Sequence, residues 1–148
     1  MSPLLFNVLF AAAIHAVLVR FSEDQDILRD LVHLEEDLGE DGVKVEPGAC
    51  VRRPVSGMLY ADDAGIVSKS GEGFAKMLTV IVTVFEVAGL TVSTTKTETM
   101  LLRTPNQAIQ TSPLVVEAAG QWYMQTMPFL YLGGLVDASA DIMPDSER

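Results

Sequence analysis

Two adjacent carboxylates, Asp62 and Asp63, are the residues of this chain best suited to chemistry. They end the tetrapeptide Tyr-Ala-Asp-Asp at 60–63, and a small, largely apolar segment lies on each side, at 55–59 and 64–68. Neighbouring like charges repel each other, and a tight turn forms more readily with Asn-Gly or Asp-Gly. Carboxylate oxygens are, however, the ligands that Mg²⁺ prefers, and a metal held there can stabilise the attacking and leaving oxygens in phosphoryl transfer. The alternative is a surface hairpin with two solvated acids.

The sequence around these acids resembles the palm of reverse transcriptases, especially those of non-LTR retrotransposons and group II introns. Tyr-Ala-Asp-Asp between two short strands is similar to the catalytic hairpin of that family. Three further stretches resemble family motifs in the same order: SPLLFN at 2–7, GLTVS followed by KTETM within 89–100, and FLYLGG at 129–134. The four ordered motifs span nearly the whole chain.

The resemblance implies an RNA-directed DNA polymerase, in which a primer 3′-hydroxyl attacks the α-phosphate of a nucleotide. Mg²⁺ or Mn²⁺ would bind at Asp62 and Asp63, and the partners would be an RNA template, a DNA primer and a dNTP. Lys96 matches the motif lysine that protonates the pyrophosphate leaving group or steers its charge. The residues that match nucleotide-side or primer-side positions of the family are Ser2, Pro3, Phe6, Tyr60, Tyr131, Leu132 and Gly133.

Several of these residues also have ordinary structural interpretations. Lys96 is equally well explained as a surface lysine in a turn, and Phe6 as a residue that packs in the core. Tyr60 can be a half-buried strand aromatic, and Gly133 a hairpin glycine that allows a sharp backbone turn.

The sequence also departs from the family pattern. The family has a further Asp, in a motif resembling D…AFD upstream of SPLLFN, and a Gln-Gly before the position of Ser2. We expect both to be missing here, together with the fingers and thumb, and Ser93 stands where the family usually has Asn. We therefore expect a palm fragment with little or no polymerase activity alone, in the cytoplasm or nucleus. Other polymerase segments are its candidate partners.

Charge is distributed unevenly along the chain. The formal net charge is −10, and ten acidic residues lie between positions 22 and 47, whereas 51–103 is close to neutral. Lys and Arg supply most of the affinity for a phosphate backbone, so the half with Asp62 neither excludes nor specifically favours nucleic acid. Cys50 is the only cysteine, which rules out an internal disulfide and favours a reducing compartment. One cysteine and two histidines do not provide the ligand spacing of an ordinary zinc site.

Two helices are predicted in the first part of the chain. Pro3 to about Arg20 is apolar almost all round, which predicts a buried helix with Ser2 as N-cap. A signal peptide or short membrane anchor is the alternative, although no positive charge precedes this run and we expect no membrane. The second helix, 24–38, would carry a stripe of Ile27, Leu31, Leu34 and Leu38. That stripe supports a different function, a non-enzymatic interaction protein.

The remaining elements complete an α+β prediction. We expect a loop with at most a short edge strand over 39–54, then the hairpin around Asp62. A helix should follow from the Ser70 cap to about Ala88, with Gly89 at its C-terminal end. Strands are predicted at 90–92, 99–103, 114–117, 121–124 and 129–132. The expected fold is one domain over 1–148, a partial polymerase palm with helices packed on one face of an antiparallel sheet.

Overall fold

The computed structural model contains helices and small antiparallel sheets, which is compatible with the predicted α+β class, and the palm fold stays a prediction. It describes residues 2–37, 50–60, 63–102, 115–126, 128–131, 134–137 and 142–143. The chain divides into two compact units, Met1–Gly89 and Leu90–Arg148. The single domain expected from the sequence stays a prediction.

In its described residues, the first unit contains three helices and two antiparallel pairs of strands. Its elements are α1 (Pro3–Glu23), α2 (Gln25–Arg29), β1 (Val32–Asp37), β2 (Cys50–Val55), β3 (Gly57–Tyr60), β4 (Asp63–Ile66) and α3 (Gly71–Val87). β1 pairs with β2 and β3 with β4, both antiparallel. The expected antiparallel pairing is therefore present, although the described strands of this unit form two separate two-stranded sheets.

Helix α1 begins where the sequence predicts and ends later than predicted. Ser2 is at the N-cap and Pro3 at the first helical position, and the helix continues past Arg20 to Glu23. Its buried residues, Ala13, Val17 and Phe21, recur every four positions and therefore lie on one face.

That face of α1 packs against α3. The rings of Phe10 and Phe85 meet edge to face with their centroids 5.7 Å apart, a geometry that favours aromatic contact. The opposite face is exposed and includes large apolar side chains such as Leu4, Val8 and Leu18. The prediction of a helix buried all round is therefore wrong, because one neighbouring helix can cover only one of its faces.

The length and composition of α1 also suit a bilayer. It is the one helix among the described residues that is long and apolar enough to cross a membrane, and 17% of its apolar window is buried. Core helices and signal sequences share these properties, so the absence of a membrane partner stays a prediction.

The helix predicted over 24–38 is wrong. Asp24 caps α2 by accepting hydrogen bonds from the backbone N–H groups of Asp26 and Ile27, at 2.9 and 3.2 Å, but α2 ends at Arg29. Residues 32–37 form β1 instead, with cross-strand partners in β2.

Long-range pairing explains this outcome. The Arg52 guanidinium lies 2.7 Å from the Glu35 carboxylate across the two strands, and such a contact is outside the reach of a local helix prediction. Ile27 and Leu31 are buried, whereas Leu34 lies in β1 and is 60% exposed. The helix that would carry the stripe is therefore wrong as well, whereas the interaction function stays a prediction. The fourth residue of the stripe, Leu38, lies outside the described residues. The edge strand allowed within 39–54 corresponds to β2, which begins at Cys50 and continues one residue beyond that segment, to Val55.

Helix α3 confirms its prediction. The Ser70 hydroxyl accepts a hydrogen bond from the Gly73 N–H at 2.9 Å, and Gly89 has a φ of 75°, which suits a glycine after a helix end. The β-branched run 79–84 is helical. Thr79 and Thr83 each donate their hydroxyl to the carbonyl four residues earlier, at 2.8 Å.

The second unit contains small antiparallel sheets. Its strands are β5 (Val115–Ala118), β6 (Gln121–Met124), β7 (Pro128–Tyr131), β8 (Gly134–Asp137) and β9 (Ile142–Met143). The predicted hairpin at 114–124 is confirmed, since β5 pairs with β6 around a turn with positive φ at Ala119 and Gly120. The predicted strand at 129–132 matches β7 over its described part.

Two predicted strands of this unit are wrong. Residues 90–92 have no regular structure, and within 99–102 Thr99 forms only an isolated bridge to Gln125. Thr99 is nevertheless buried and donates its hydroxyl to the Met124 carbonyl at 3.1 Å. This segment is therefore held beside the β5–β6 hairpin without extending its sheet.

An ion cluster joins α2 to α3. The Lys76 ammonium lies 3.2 Å from the Asp24 carboxylate and 2.5 Å from that of Asp26. Hydrogen bonding from Lys76 holds the pKa of Asp26 below its usual value. The pKa of Asp24 is also lowered, chiefly by the hydrogen bond from the Ile27 N–H. Hydrogen bonding to Asp26 raises the pKa of Lys76 in turn.

These shifts predict a pH-dependent effect of Lys76→Met. A lowered carboxyl pKa stabilises the fold above the unfolded pKa of about 3.9, and this contribution disappears as the pH falls through the folded value. The raised lysine pKa contributes below about 10.4 and is lost as the pH rises through its folded value. In thermal unfolding, Lys76→Met should therefore lower the midpoint at pH 7, with a difference from wild type that narrows below about pH 4. Lys96→Met, at an exposed turn residue, is the matched control. A difference in unfolding midpoint between wild type and Lys76→Met that did not change with pH would contradict this account.

Candidate functional site

The predicted hairpin around the acid pair is present, with Asp63 among its described residues. In the register of β3 and β4, Tyr60 is opposite Asp63, Leu59 opposite Ala64 and Met58 opposite Gly65. The connection between the strands is thus two residues long, Ala61 and Asp62, which lie outside the described residues. Asp63 opens β4 and is exposed. The hairpin therefore presents the carboxylate of Asp63, the second acid of the pair, to solvent.

Close backbone contact holds the base of this hairpin together. A Cβ atom added to Gly57 would overlap the carbonyl oxygen of Gly65, so the backbone there requires glycine. Beyond the paired strands, the Val67 N–H donates to the Ser56 carbonyl at 3.0 Å, which adds one rung to the ladder. The two strands are consequently fixed at the end opposite the acids.

Asp30 connects the end of the hairpin to both neighbouring helices. Its backbone carbonyl accepts from the Lys69 N–H at 2.9 Å and lies 3.4 Å from the Ser68 hydroxyl. Its carboxylate accepts a short hydrogen bond from the Ser70 hydroxyl, which itself caps α3. A Cβ atom at Gly73 would overlap the Asp30 carboxylate. One residue at the end of α2 thus fixes both the segment after β4 and the start of α3.

The described end of the hairpin offers one carboxylate to a cation. Asp63 supplies carboxylate oxygens, the ligand type that Mg²⁺ and Mn²⁺ prefer, and Tyr60 is its partner across the strands. Among the described residues, no group of three His, Cys, Asp or Glu side chains converges as a metal site. The roles of Asp62 and Asp63 as metal ligands stay a prediction.

The predicted nucleotide-side residues lie together in the first turns of α1. Ser2 and Pro3 are exposed at the helix start, and the Ser2 carbonyl accepts from the Phe6 N–H at 3.0 Å. The Phe6 ring stacks on Phe10 with centroids 5.8 Å apart. Phe6 therefore takes part in packing, and its role beside a nucleotide stays a prediction.

The remaining predicted site residues belong to the second unit. Lys96 is exposed in a turn in which the Ser93 carbonyl accepts from the backbone N–H and the hydroxyl of Thr97, at 2.9 and 2.7 Å. Tyr131 is the last residue of β7, and Leu132 and Gly133 lie outside the described residues. The roles proposed for them at the primer are not tested by these positions.

Sequence reasoning missed the residues that hold the hairpin in place. The sequence identifies Ser70 as a helix cap, but the second partner of Ser70, Asp30, is 40 residues earlier in the chain. Asp30 falls within the helix predicted over 24–38, and nothing local indicates that its carboxylate contacts a cap. Gly57 and Gly65 did carry a signal, since two glycines in adjacent predicted strands are typical of close backbone approach.

Comparisons with protein-family models, curated proteins and solved structures find no match to this chain. Membership of the reverse transcriptase family therefore remains a proposal that depends on the four motifs and on the hairpin.

The two glycines of the hairpin make a matched pair for substitution. Gly57→Ala should lower the free energy of unfolding by about 1–3 kcal/mol, because the added methyl group meets the Gly65 carbonyl. Gly65→Ala should change it by no more than about 0.5 kcal/mol, since a Cβ there meets no described atom within 4 Å. Urea unfolding of both variants measures the difference. Equal effects would show that the close approach at Gly57 is not a constraint on the hairpin.

The hydroxyl of Ser70 should matter more than that of an exposed helical serine. Ser70→Ala removes both the cap of α3 and the hydrogen bond to Asp30, and we expect a loss of about 1–2 kcal/mol in unfolding free energy. Ser22→Ala is the control, because the Ser22 hydroxyl donates only to the Val19 carbonyl in its own exposed turn. If the two variants were equally stable, Asp30 and Ser70 would not form a significant anchor.

Proposed function

We propose that this chain is the palm portion of an RNA-directed DNA polymerase of the reverse transcriptase type. The observation that carries the proposal is the acid pair at a hairpin with a two-residue connection, in which Tyr60 is opposite Asp63. A hairpin of this kind with Tyr-Ala-Asp-Asp at its end is what the family resemblance implies. The motifs at 2–7, 89–100 and 129–134 support the same proposal, in the order that the family requires.

The proposed roles of the acids follow from their position. Asp63 is exposed at the start of β4, so its oxygens are accessible to an ion and to a nucleotide phosphate. Asp62 precedes it in the sequence, and together the two residues would supply carboxylate oxygens to one ion. A bound Mg²⁺ or Mn²⁺ would stabilise the charge that develops at the reacting phosphate.

The family motifs also assign roles to Lys96 and to two tyrosines. Lys96, an exposed lysine in a turn, would act on a triphosphate as a point charge or donate a proton to the leaving group. Tyr60 would support the primer end from β3, and 131–133 would approach the primer. These assignments come from the motifs, and they predict that Lys96 affects turnover more than metal binding.

Little polymerase activity is expected from this chain alone. The further Asp of the family, in its D…AFD motif, has no counterpart in these 148 residues, and a ligand set with one carboxylate fewer fixes divalent ions less well. The proposal therefore separates into two claims, a metal-binding hairpin and a weak or absent reaction.

The metal-binding claim predicts a specific effect of the double variant Asp62→Asn/Asp63→Asn. Titration with Mn²⁺, followed by electron paramagnetic resonance, should show binding to the wild-type chain that weakens about tenfold or more in this variant. Glu72→Gln/Glu86→Gln is the matched control, because it also removes two negative charges, from exposed positions on α3. Equal losses in both double variants would mean non-specific attraction to an acidic protein and would contradict the site.

The reaction claim is tested by primer extension on an RNA template with Mg²⁺. We expect the purified chain to extend the primer weakly or not at all. Extension that is abolished by Asp62→Ala would show that the expectation of inactivity is wrong while supporting the assignment of the site. Extension that survives this substitution would contradict both claims, because it would come from groups other than the acid pair.

A further inference from the structure

Helix α1 carries an uncharged, exposed face opposite the one that packs on α3. We call this set of residues the α1 outer face: Leu4, Leu5, Val8, Ala11, Ala12, His15, Leu18 and Val19. All eight side chains are exposed in the first unit. The face contains no Asp, Glu, Lys or Arg, which is unusual in a protein of net charge −10, and it therefore requires a cover that is itself apolar.

The spacing of this face is that of a helix–helix seam. Starting from Leu4, residues along this side of the helix are separated by alternating steps of four and three positions, and Ser22 continues the series. The positions are 4, 8, 11, 15, 18 and 22. This repeat of about 3.5 residues is typical of the a and d positions of a coiled coil. Leu5, Ala12 and Val19 lie along one side of the seam at seven-residue intervals, which widens the apolar surface. A membrane-facing helix needs no such repeat.

The exposed side chains of this face can cover each other in a symmetric pair of chains. Leu4 is 74% exposed, Leu5 59%, Val8 60% and Leu18 49%. Contiguous exposed apolar surface of this kind marks a site of association. A second copy of the same face presents an equally apolar, uncharged surface and can therefore supply the missing cover.

We propose that two chains associate through their α1 outer faces in an antiparallel arrangement centred near residue 13. In that register Leu4 lies opposite Ser22 of the other copy, Val8 opposite Leu18, and Ala11 opposite His15. Each larger side chain then faces a smaller one, as a packed seam requires. The contact is isologous, so every pair occurs twice.

The polar groups at the ends of the seam agree with this register. The Ser22 hydroxyl already donates to the Val19 carbonyl of its own helix, at 2.7 Å, so its burial leaves no donor unsatisfied. The first turn of α1 contains no acidic residue, and the antiparallel register brings Glu23 of the other copy to that turn. A carboxylate there is favourable because a helix N-terminus carries partial positive charge. A parallel pair would leave both N-termini without this charge and would place Ala11 against Ala11.

A charge exchange between positions 8 and 18 tests the proposal. Val8→Glu and Leu18→Lys should each weaken self-association by about tenfold or more, since each variant buries an unpaired charge. The double variant Val8→Glu/Leu18→Lys sets the new carboxylate opposite the new ammonium group twice in the antiparallel pair, and it should regain most of the affinity. In a parallel pair the same double variant would place like charges together and remain dissociated. Sedimentation equilibrium measures all four proteins, and circular dichroism confirms that the exposed substitutions leave α1 folded.

The control is Val87→Glu, which introduces a negative charge at an apolar residue of α3 that is 86% exposed and outside the α1 outer face. Its association should match that of wild type. A monomeric wild-type chain, unchanged association in the single variants, or a double variant weaker than both singles would overturn the proposal. Binding to phosphatidylcholine vesicles gives a further contrary outcome. If a monomeric wild-type chain bound these vesicles, and both Val8→Glu and the double variant failed to bind them, lipid would be the cover and the proposal would be overturned.

Discussion

The hydrogen bonds of Asp30 are the interaction on which the arrangement of the first unit depends. Its carbonyl accepts from the Lys69 N–H, and its carboxylate accepts from Ser70, the cap of α3. A carboxylate acceptor makes a stronger bond than a neutral one. Since α2 ends at Arg29, directly before Asp30, one residue joins a helix end, a helix start and the segment that follows the acid hairpin.

This anchor matters because the hairpin has few other supports within the described residues. Met58 and Leu59 are largely exposed, and an isolated two-stranded sheet is marginally stable in water. The close approach of Gly57 to Gly65 fixes the strands to each other, whereas the bonds at 68–70 fix them to the helices. The proposed metal site therefore depends on residues remote from it in sequence, as preorganised sites generally do.

Local signals in the sequence predicted the elements that have clear ends. Ser2-Pro3 marks the start of α1, Ser70 and Gly89 bracket α3, and the predicted hairpin is present, with Tyr60 opposite Asp63. The failure at 24–38 came from an interaction that no local pattern contains, because Glu35 pairs with Arg52 across β1 and β2. Similarly, the composition of α1 indicated burial without indicating how much of its surface the rest of the chain can cover. Asp30 could not be found for the same reason, since its partner lies 40 residues away.

The central claim is that Asp62 and Asp63 hold a divalent cation at the hairpin. The most direct measurement is anomalous diffraction from crystals of the chain soaked in Mn²⁺. We expect a peak at the β3–β4 connection, at a distance of about 2.1 Å from carboxylate oxygens of both residues. A map with Mn²⁺ only at other acidic side chains, and none at this hairpin, would contradict the claim.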